Sequence, residues 1–265
     1  MWSVFSYIVF SLLILWVTSG VLLLFKKKPL VNLALGFHLV GIIVLGYFIS
    51  NLWITLERPP LRTLAETRIW YAFFISVIGW VLYFLYKQKW ILHYAIVMAG
   101  VFTLITYFNP DTINKTLMPA LHSVWFIPHV VVYIFAYAMF GMATLVAVFG
   151  LYHYYKKEQV GETVQLMNQL VNVGYSFLTL LGLLFGALWA KEAWGHYWTW
   201  DPKETWAFIS WLGYLVYIHY RFKFKNEEGT MPFYIIIVAF LLLLVCWFGV
   251  NYLPTAQNSV HTYTG

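Results

Sequence analysis

Apolar residues fall into eight long runs along this chain, and short polar or charged segments separate the runs. An α-helix needs about 20 apolar residues to cross the hydrocarbon core of a bilayer, and most of these runs approach or exceed that length. The pattern predicts about eight transmembrane helices, over residues 2–25, 32–54, 69–86, 90–108, 123–155, 170–190, 205–220 and 231–253. We therefore expect an all-α fold, a polytopic membrane bundle of helices, with residues 1–265 forming a single integral membrane domain.

Composition argues against a soluble protein. The chain is 62% hydrophobic, 21% aromatic and 10% charged, whereas soluble domains carry roughly 25% charged residues. The lipid bilayer is thus the first partner to expect. The single cysteine, Cys246, lies within an apolar run and the sequence has no CxxC motif, so neither an internal disulfide nor thiol–disulfide exchange is expected.

The basic residues indicate topology. A net charge of +6 would suit a nucleic-acid-binding protein, but these residues stand in short clusters between apolar runs, so we expect no nucleic-acid partner. Lysines 26–28 follow the first run, whereas a secretory signal carries its charge before the apolar stretch, which predicts a retained helix. With both termini outside, inner loops hold ten basic residues and outer loops six. The positive-inside rule therefore places both termini on the extracytoplasmic side.

Tryptophans concentrate in one part of the chain. Five of them fall within eighteen positions, at Trp194, Trp198, Trp200, Trp206 and Trp211. Indole rings favour the membrane–water interface, but ordinary aromatic belts place only scattered rings at helix ends. We call residues 194–211 the tryptophan shelf. The predicted topology places it on the extracytoplasmic face, and its density indicates a function beyond anchoring.

The shelf and its surroundings resemble a known family. Residues 194–206 read WGHYWTWDPKETW and residues 214–221 read YLVYIHYR. This pattern is similar to the WWD signature of heme-handling membrane proteins, and its DPKE form is that of the CcsA (ResC) branch of cytochrome c biogenesis proteins. Two flanking motifs also match. SVWFIPHV at 123–130 resembles the family's SxWLxxHV, and GVN at 249–251 with SVHTY at 259–263 resembles its GVN…LHSY ending, apart from valine in place of leucine.

The resemblance implies a set of heme-binding residues. His129 and His261 correspond to the two axial ligands of an extracytoplasmic heme, and His219 corresponds to a ligand of a second heme within the membrane. The heme-handling segment is 194–206, with Trp194, Trp198, Trp200, Asp201 and Trp206 as its predicted binding residues. The implied cofactor or substrate is heme b. Heme iron accepts two axial imidazoles, and indole rings offer flat apolar faces to a porphyrin.

The residues also suggest a structural role for part of this segment. Asp201 precedes Pro202 and is predicted to cap the seventh helix, with Glu204 in the first turn of that helix.

The resemblance further implies a function in system II cytochrome c biogenesis. The chain would present heme on the extracytoplasmic side and attach it to the CxxCH motif of apocytochrome c. It would do so with a CcsB (ResB) subunit, as a heme lyase complex. CxxCH belongs to the client and is absent here, and no residue is an evident acid or base for thiol addition, so no catalytic residue is assigned. Catalysis would rest on positioning, and the second ligand of the inner heme would come from CcsB.

Other histidines leave alternatives open. His122 lies seven residues, or two helical turns, before His129 and is its main rival as the first outer ligand. His196 stands in the shelf but is less fixed in the family pattern, so we expect it to be a non-ligand. Three more histidines are predicted at the depth of His219 and could replace the partner's ligand there, namely His38, His93 and His153. A neutral imidazole bonded to a neighbouring helix is the other expectation for each of them.

Two further functions compete with the first. A membrane b-type heme electron-transfer subunit could pair His153 with His219, although such a subunit does not need the tryptophan shelf. A heme exporter without attachment activity is the other, and the DPKE form and chain length argue against it. The expected location is a bacterial inner (cytoplasmic) membrane, with a thylakoid membrane as the open alternative.

Overall fold

The computed structural model describes residues 2–25, 27–113, 119–224 and 229–254, without the side chains of Pro119, His122 and Asn251. All regular secondary structure in these ranges is helical, which confirms the all-α class. The α-helices are α1 (Phe5–Leu23), α2 (Lys28–Leu56), α3 (Leu64–Tyr86), α4 (Lys89–Phe108), α5 (Phe126–Tyr155), α6 (Gly161–Phe177), α7 (Leu183–Trp194), α8 (Pro202–Lys223) and α9 (Met231–Trp247). Short 3-10 turns cover Trp2–Val4, Pro110–Thr112, Pro119–His122 and Gly249–Tyr252.

The helices confirm a polytopic membrane bundle. A π-helical stretch, Leu178–Gly182, joins α6 to α7, so these elements form one continuous helix, Gly161–Trp194. The described ranges therefore contain eight helical rods, as the apolar runs predict. Six of the rods are long and apolar enough to cross a membrane, and Met231–Trp247 is a shorter apolar helix.

The sixth rod begins earlier than the apolar run predicts, at Gly161 instead of residue 170. Its first turns carry polar residues such as Glu162 and Asn168, which lower the local hydropathy. Val164, Met167 and Val171 are nevertheless buried along one face. Helical periodicity thus continues where mean hydropathy falls, and periodicity determines where the helix begins.

The chain forms two compact units, residues 1–117 and 118–265. In the first, α1 packs on α2 and α4, and α3 also packs on α2 and α4. Small residues allow close approach, since a Cβ on Gly79 would lie 2.2 Å from the Cβ of Ala95 on α4. That residues 1–265 act as a single integral membrane domain stays a prediction.

The second unit carries the tryptophan shelf. In it, α5 packs on α6, α7 and α9, while α8 packs on α6 and α9. Phe140 of α5 and Tyr214 of α8 are fully buried, and their rings stack with centroids 3.7 Å apart. This contact fixes α8, which begins in the shelf, against the helix that carries His129.

Candidate functional site

The shelf begins where α7 stops. Gly195 adopts a left-handed conformation at φ +83°, which ends the helix at little cost because glycine lacks a Cβ. The Gly195 amide donates to the Lys191 carbonyl at 3.0 Å, and the Lys191 ammonium donates to the Gly195 carbonyl at 2.8 Å. The chain therefore leaves α7 in a defined direction, immediately after Trp194.

A reciprocal cap closes the shelf loop at the start of α8. The Asp201 carboxylate accepts from the Lys203 amide at 2.9 Å, and Pro202 occupies the first helical position. The Glu204 carboxylate accepts from the amides of Thr199 at 2.8 Å and Asp201 at 3.2 Å. The predicted capping role of Asp201 is confirmed. Both carboxylates are buried and serve to shape the loop between Trp198 and Trp206.

Trp194 ends α7, and the other four shelf tryptophans occupy three different environments. Trp198 and Trp200 lie on the loop, 36% and 61% exposed, with ring centroids 5.7 Å apart and planes nearly perpendicular. Trp206 is half-buried in the first turns of α8. Trp211 lies deeper along α8, where its Nε1–H donates to Thr179 Oγ1 at 2.9 Å. The loop pair thus presents indole surface outward, while Trp211 packs between helices.

His129 lies in the first turn of α5 and faces the joined α6–α7 helix. Its Nδ1 is 3.0 Å from the carbonyl oxygen of Gly182, an acceptor, so Nδ1 carries the proton and donates. The ring centroid is 4.4 Å from that of Tyr133 and 5.3 Å from that of Trp189. A Cβ on Gly186 would lie 2.7 Å from His129 Cε1, so the imidazole packs directly on the helix backbone.

Trp189 links His129 to the shelf, and the sequence did not single it out. Its ring centroid is 4.8 Å from that of Trp194, it is 4% exposed, and its Nε1–H donates to the Ala120 carbonyl at 2.8 Å. Trp189 lies inside an apolar run, where a tryptophan looks like ordinary core. It stands five residues before Trp194, a spacing that does not place two residues on the same helix face, so no local pattern connects the two rings.

A polar contact ties the same two helix ends together. The Ser123 hydroxyl, just before α5, donates to Oε2 of Glu192 on α7 at 2.7 Å. The Ser123 oxygen also accepts from the Trp125 amide at 3.1 Å. The sequence motif around Ser123 indicates a functional segment. Nothing in the sequence pointed to Glu192, because no local pattern connects it to Ser123, 69 residues away.

Four of the remaining histidines differ in burial and in their contacts. His38 is fully buried with Nε2 3.1 Å from the Ser76 carbonyl, and His93 lies between the carbonyls of Lys89 and Gly20, each at 3.0 Å. Both fit the expectation of an imidazole bonded to backbone. His153 contacts Glu158 through Nδ1. His219 lies exposed on α8, and its Nδ1 donates to the Leu215 carbonyl at 2.9 Å.

The candidate residues are only partly brought together by the described structure. His129 reaches Trp194 through Trp189, and Trp198 contacts Trp200. His196 is exposed on the loop. His261 lies outside the described residues, as does the side chain of His122, so the roles predicted for these two stay predictions.

His129 offers an imidazole, which is a ligand type that the iron of a porphyrin accepts. Within residues 2–25, 27–113, 119–224 and 229–254, no group of three or more His, Cys, Asp or Glu side chains could hold a metal ion. A heme iron already has four ring nitrogens and needs only axial ligands such as imidazole. The oriented His129 imidazole, which contacts the buried ring of Trp189, fits that requirement.

Comparison with known proteins gives one consistent result. Residues 62–256 match the family described as cytochrome C assembly protein. Cytochrome c biogenesis protein CcsA of Nicotiana tomentosiformis is 33% identical, over 84% of this chain and 85% of that protein. The CcsA of Cuscuta exaltata is 31% identical over 84% of each chain. The CcsA of Lactuca sativa is 28% identical over 98% of this chain and 96% of its own length.

Proposed function

The chain belongs to the cytochrome c assembly family and acts in cytochrome c biogenesis, and we propose that it presents heme at the tryptophan shelf for attachment to apocytochrome c. The observation that carries the proposal is the placement of His129. Its ring is held by α7 and connected through Trp189 to Trp194, where the shelf begins. His129, the proposed axial ligand, is thus joined by ring contacts to Trp194, the first tryptophan of the shelf.

The chain's own residues bind and orient the heme. His129 and His261 are the proposed axial ligands, and the exposed rings of Trp198 and Trp200 provide flat apolar surface. Asp201 and Glu204 keep the loop in one shape by accepting its backbone amides. A fixed loop matters because attachment by positioning requires the reacting groups to be held at short range with defined orientation.

Heme supplies the vinyl groups that react. Each client thiol adds across a vinyl double bond, with sulfur bonding to one carbon and hydrogen to the other, so there is no leaving group and no net oxidation. The shelf residues are proposed to hold the substrate and exclude water from it, and the thiols come from the CxxCH motif of the client.

We place a second heme contact at His219. The side chain lies exposed on α8, and Nδ1 donation to Leu215 leaves Nε2 as the nitrogen with a lone pair. An exposed ligand suits a heme shared with another subunit, and a CcsB-type protein is the proposed partner. The same exposure disfavours a pair of His153 and His219 inside this chain, which the electron-transfer alternative needs.

The shelf and both termini are proposed to face the extracytoplasmic side. The basic residues carry this assignment through the positive-inside rule. A bacterial inner membrane is the proposed location, and a thylakoid membrane is the open alternative.

Coexpression tests the proposed function directly. This chain, a CcsB-type subunit and a CxxCH-containing apocytochrome c are produced in a bacterial host without its own maturation system. Heme that stays on the cytochrome through denaturing electrophoresis is the expected result, and a client with both thiols replaced by serine is the control. Export of heme without attachment would support the exporter. A purified, heme-loaded complex that leaves the client unmodified would contradict the proposal.

A further inference from the structure

The π-helical stretch Leu178–Gly182 lies directly against His129. In it the Leu183 amide donates to the Leu178 carbonyl, five residues back. Such wider turns are rare and occur frequently at functional sites. The Gly182 carbonyl accepts from His129 Nδ1 on α5, while Thr179 Oγ1 accepts from Trp211 on α8. The π-helical stretch thus contacts α5 through a backbone carbonyl and α8 through a side-chain hydroxyl.

Two glycines one turn apart form a recess for two rings one turn apart on α5. A Cβ on Gly186 would lie 2.7 Å from Cε1 and 2.9 Å from Nδ1 of His129. A Cβ on Gly182 would lie 2.8 Å from Cε2 of Tyr133. Real Cβ atoms do not approach this closely, so any larger residue at either position displaces a ring or moves the helix. Residue 186 therefore determines where the His129 imidazole lies.

The Gly182 carbonyl also determines which nitrogen carries the proton. A carbonyl only accepts, so the neutral imidazole holds its hydrogen on Nδ1 and its lone pair on Nε2. Metal-ligating histidines are usually oriented in this manner, through donation from the second ring nitrogen to a carbonyl or carboxylate.

We propose that Gly182 and Gly186 are positioning residues, which hold His129 in the Nδ1–H tautomer and so make Nε2 the iron-binding atom. The π-helical turn brings the Gly182 carbonyl to the imidazole. The meaning of this arrangement for iron rests on the proposed function. The tautomer and the ring position, however, are measurable without heme.

The first experiment is nitrogen NMR of heme-free protein labelled with [15N]histidine in lipid nanodiscs. The His129 signals are identified by their loss in His129→Gly. A protonated Nδ1 and an unprotonated Nε2 are expected in the wild type. The Gly186→Ala variant should show a changed or mixed tautomer, because its Cβ occupies the space of the ring. A wild-type His129 with the proton on Nε2 would overturn the proposal without any variant.

Gly36→Ala is the matched control. Gly36 is also helical, on α2, but a Cβ there meets nothing within 4 Å. The His129 signals should be the same in this variant as in the wild type. A similar change in both variants would assign the effect to alanine in a membrane helix and would contradict a specific role for Gly186.

The second experiment asks whether Gly186 acts through His129. Loss of a group that orients a metal ligand typically lowers the affinity for the metal about 10-fold to 100-fold. The Gly186→Ala variant should therefore bind heme with an affinity at least about tenfold lower than the wild type. In the His129→Gly background the same alanine should have no further effect. A further loss in that background would overturn the proposal.

Different outcomes would contradict the ligand role of His129 and the positioning role of Gly182 and Gly186. If His129→Gly retains heme normally while NMR shows the Nδ1–H tautomer, the ligand role of His129 is wrong, and Gly182 and Gly186 position a ring that does not bind iron. If His129→Gly loses heme but the wild type carries the proton on Nε2, the ligand role stands and the positioning proposal is wrong.

Discussion

Ser123 and Glu192 join the start of α5 to the end of α7 through a hydrogen bond of 2.7 Å from the serine hydroxyl to Oε2 of the carboxylate. His129 follows Ser123 on one side of this bond, and Trp194 follows Glu192 on the other. The contact therefore helps to set the distance between the candidate iron ligand and the shelf.

Replacing Ser123 by alanine should lower the free energy of unfolding by about 1 kcal/mol. The Trp125 amide and the Glu192 carboxylate both lose a partner. Thermal unfolding in detergent measures the change. Ser50→Ala is the control, because the Ser50 hydroxyl is bonded to the Gly46 carbonyl of its own helix. Equal stability of the two variants would show that the link between α5 and α7 contributes nothing.

Trp200 offers a way to separate folding from heme binding. It adopts a left-handed backbone conformation, φ +59°, which costs a residue with a Cβ about 1 kcal/mol or more relative to glycine. Trp200→Gly should therefore be about 1 kcal/mol more stable than Trp200→Ala. Both variants should lose bound heme, because each removes an exposed ring of the shelf.

Heme content and unfolding are measured on the same preparations. Trp53→Ala is the control, since Trp53 is another exposed tryptophan, 44% exposed, on α2. Normal heme retention in Trp200→Gly would show that the Trp200 ring serves only as a membrane anchor.

Glu204→Ala should disorder the shelf loop. The carboxylate accepts from the Thr199 amide, the Thr199 hydroxyl and the Asp201 amide. Only the Asp201 amide is buried, and a buried donor left without a partner costs about 1–3 kcal/mol. We expect lower stability together with loss of heme. Thr63→Ala removes a comparable cap at the start of α3 and should cost about 1 kcal/mol without affecting heme. A folded Glu204→Ala variant with full heme content would contradict the role given to this cap.

Thiol labelling tests the topology. The native Cys246 is 3% exposed, so its background reaction should be low. A cysteine at the exposed His196 should react with a membrane-impermeant maleimide in intact cells, whereas one at the exposed Lys156 should react only after lysis. The reverse pattern would overturn the orientation and the extracytoplasmic assignment of the shelf.

The fold could be predicted from apolar runs because a helix needs about 20 mainly apolar residues to cross the bilayer. The cap at Asp201 could also be predicted, since its partner Glu204 is three residues away. The early start of α6 could not be predicted from hydropathy alone, because polar residues in its first turns mask the buried face.

The details of the site depend on contacts between distant residues. His129 was identified by its resemblance to a family motif, but its bond to Gly182 spans 53 positions. No local sequence pattern indicated the π-helical stretch. Trp189 lies in an apolar run, where its sequence context is that of a buried core residue. Sequence therefore indicated which residue types matter, whereas the orientation of the imidazole required the packed structure.

The central claim is that His129 is an axial ligand of heme held at the shelf. Loss of one axial imidazole leaves an open iron position that added imidazole can occupy. The most direct measurement is therefore the optical spectrum and pyridine hemochrome content of purified His129→Gly and His261→Gly, with and without imidazole, beside cytochrome c maturation. His196→Gly serves as the non-ligand control.

We predict that both ligand variants lose the six-coordinate spectrum and cytochrome c maturation, and that imidazole partly restores both, while His196→Gly resembles the wild type. An unchanged spectrum with normal maturation in His129→Gly, measured without imidazole, would contradict it.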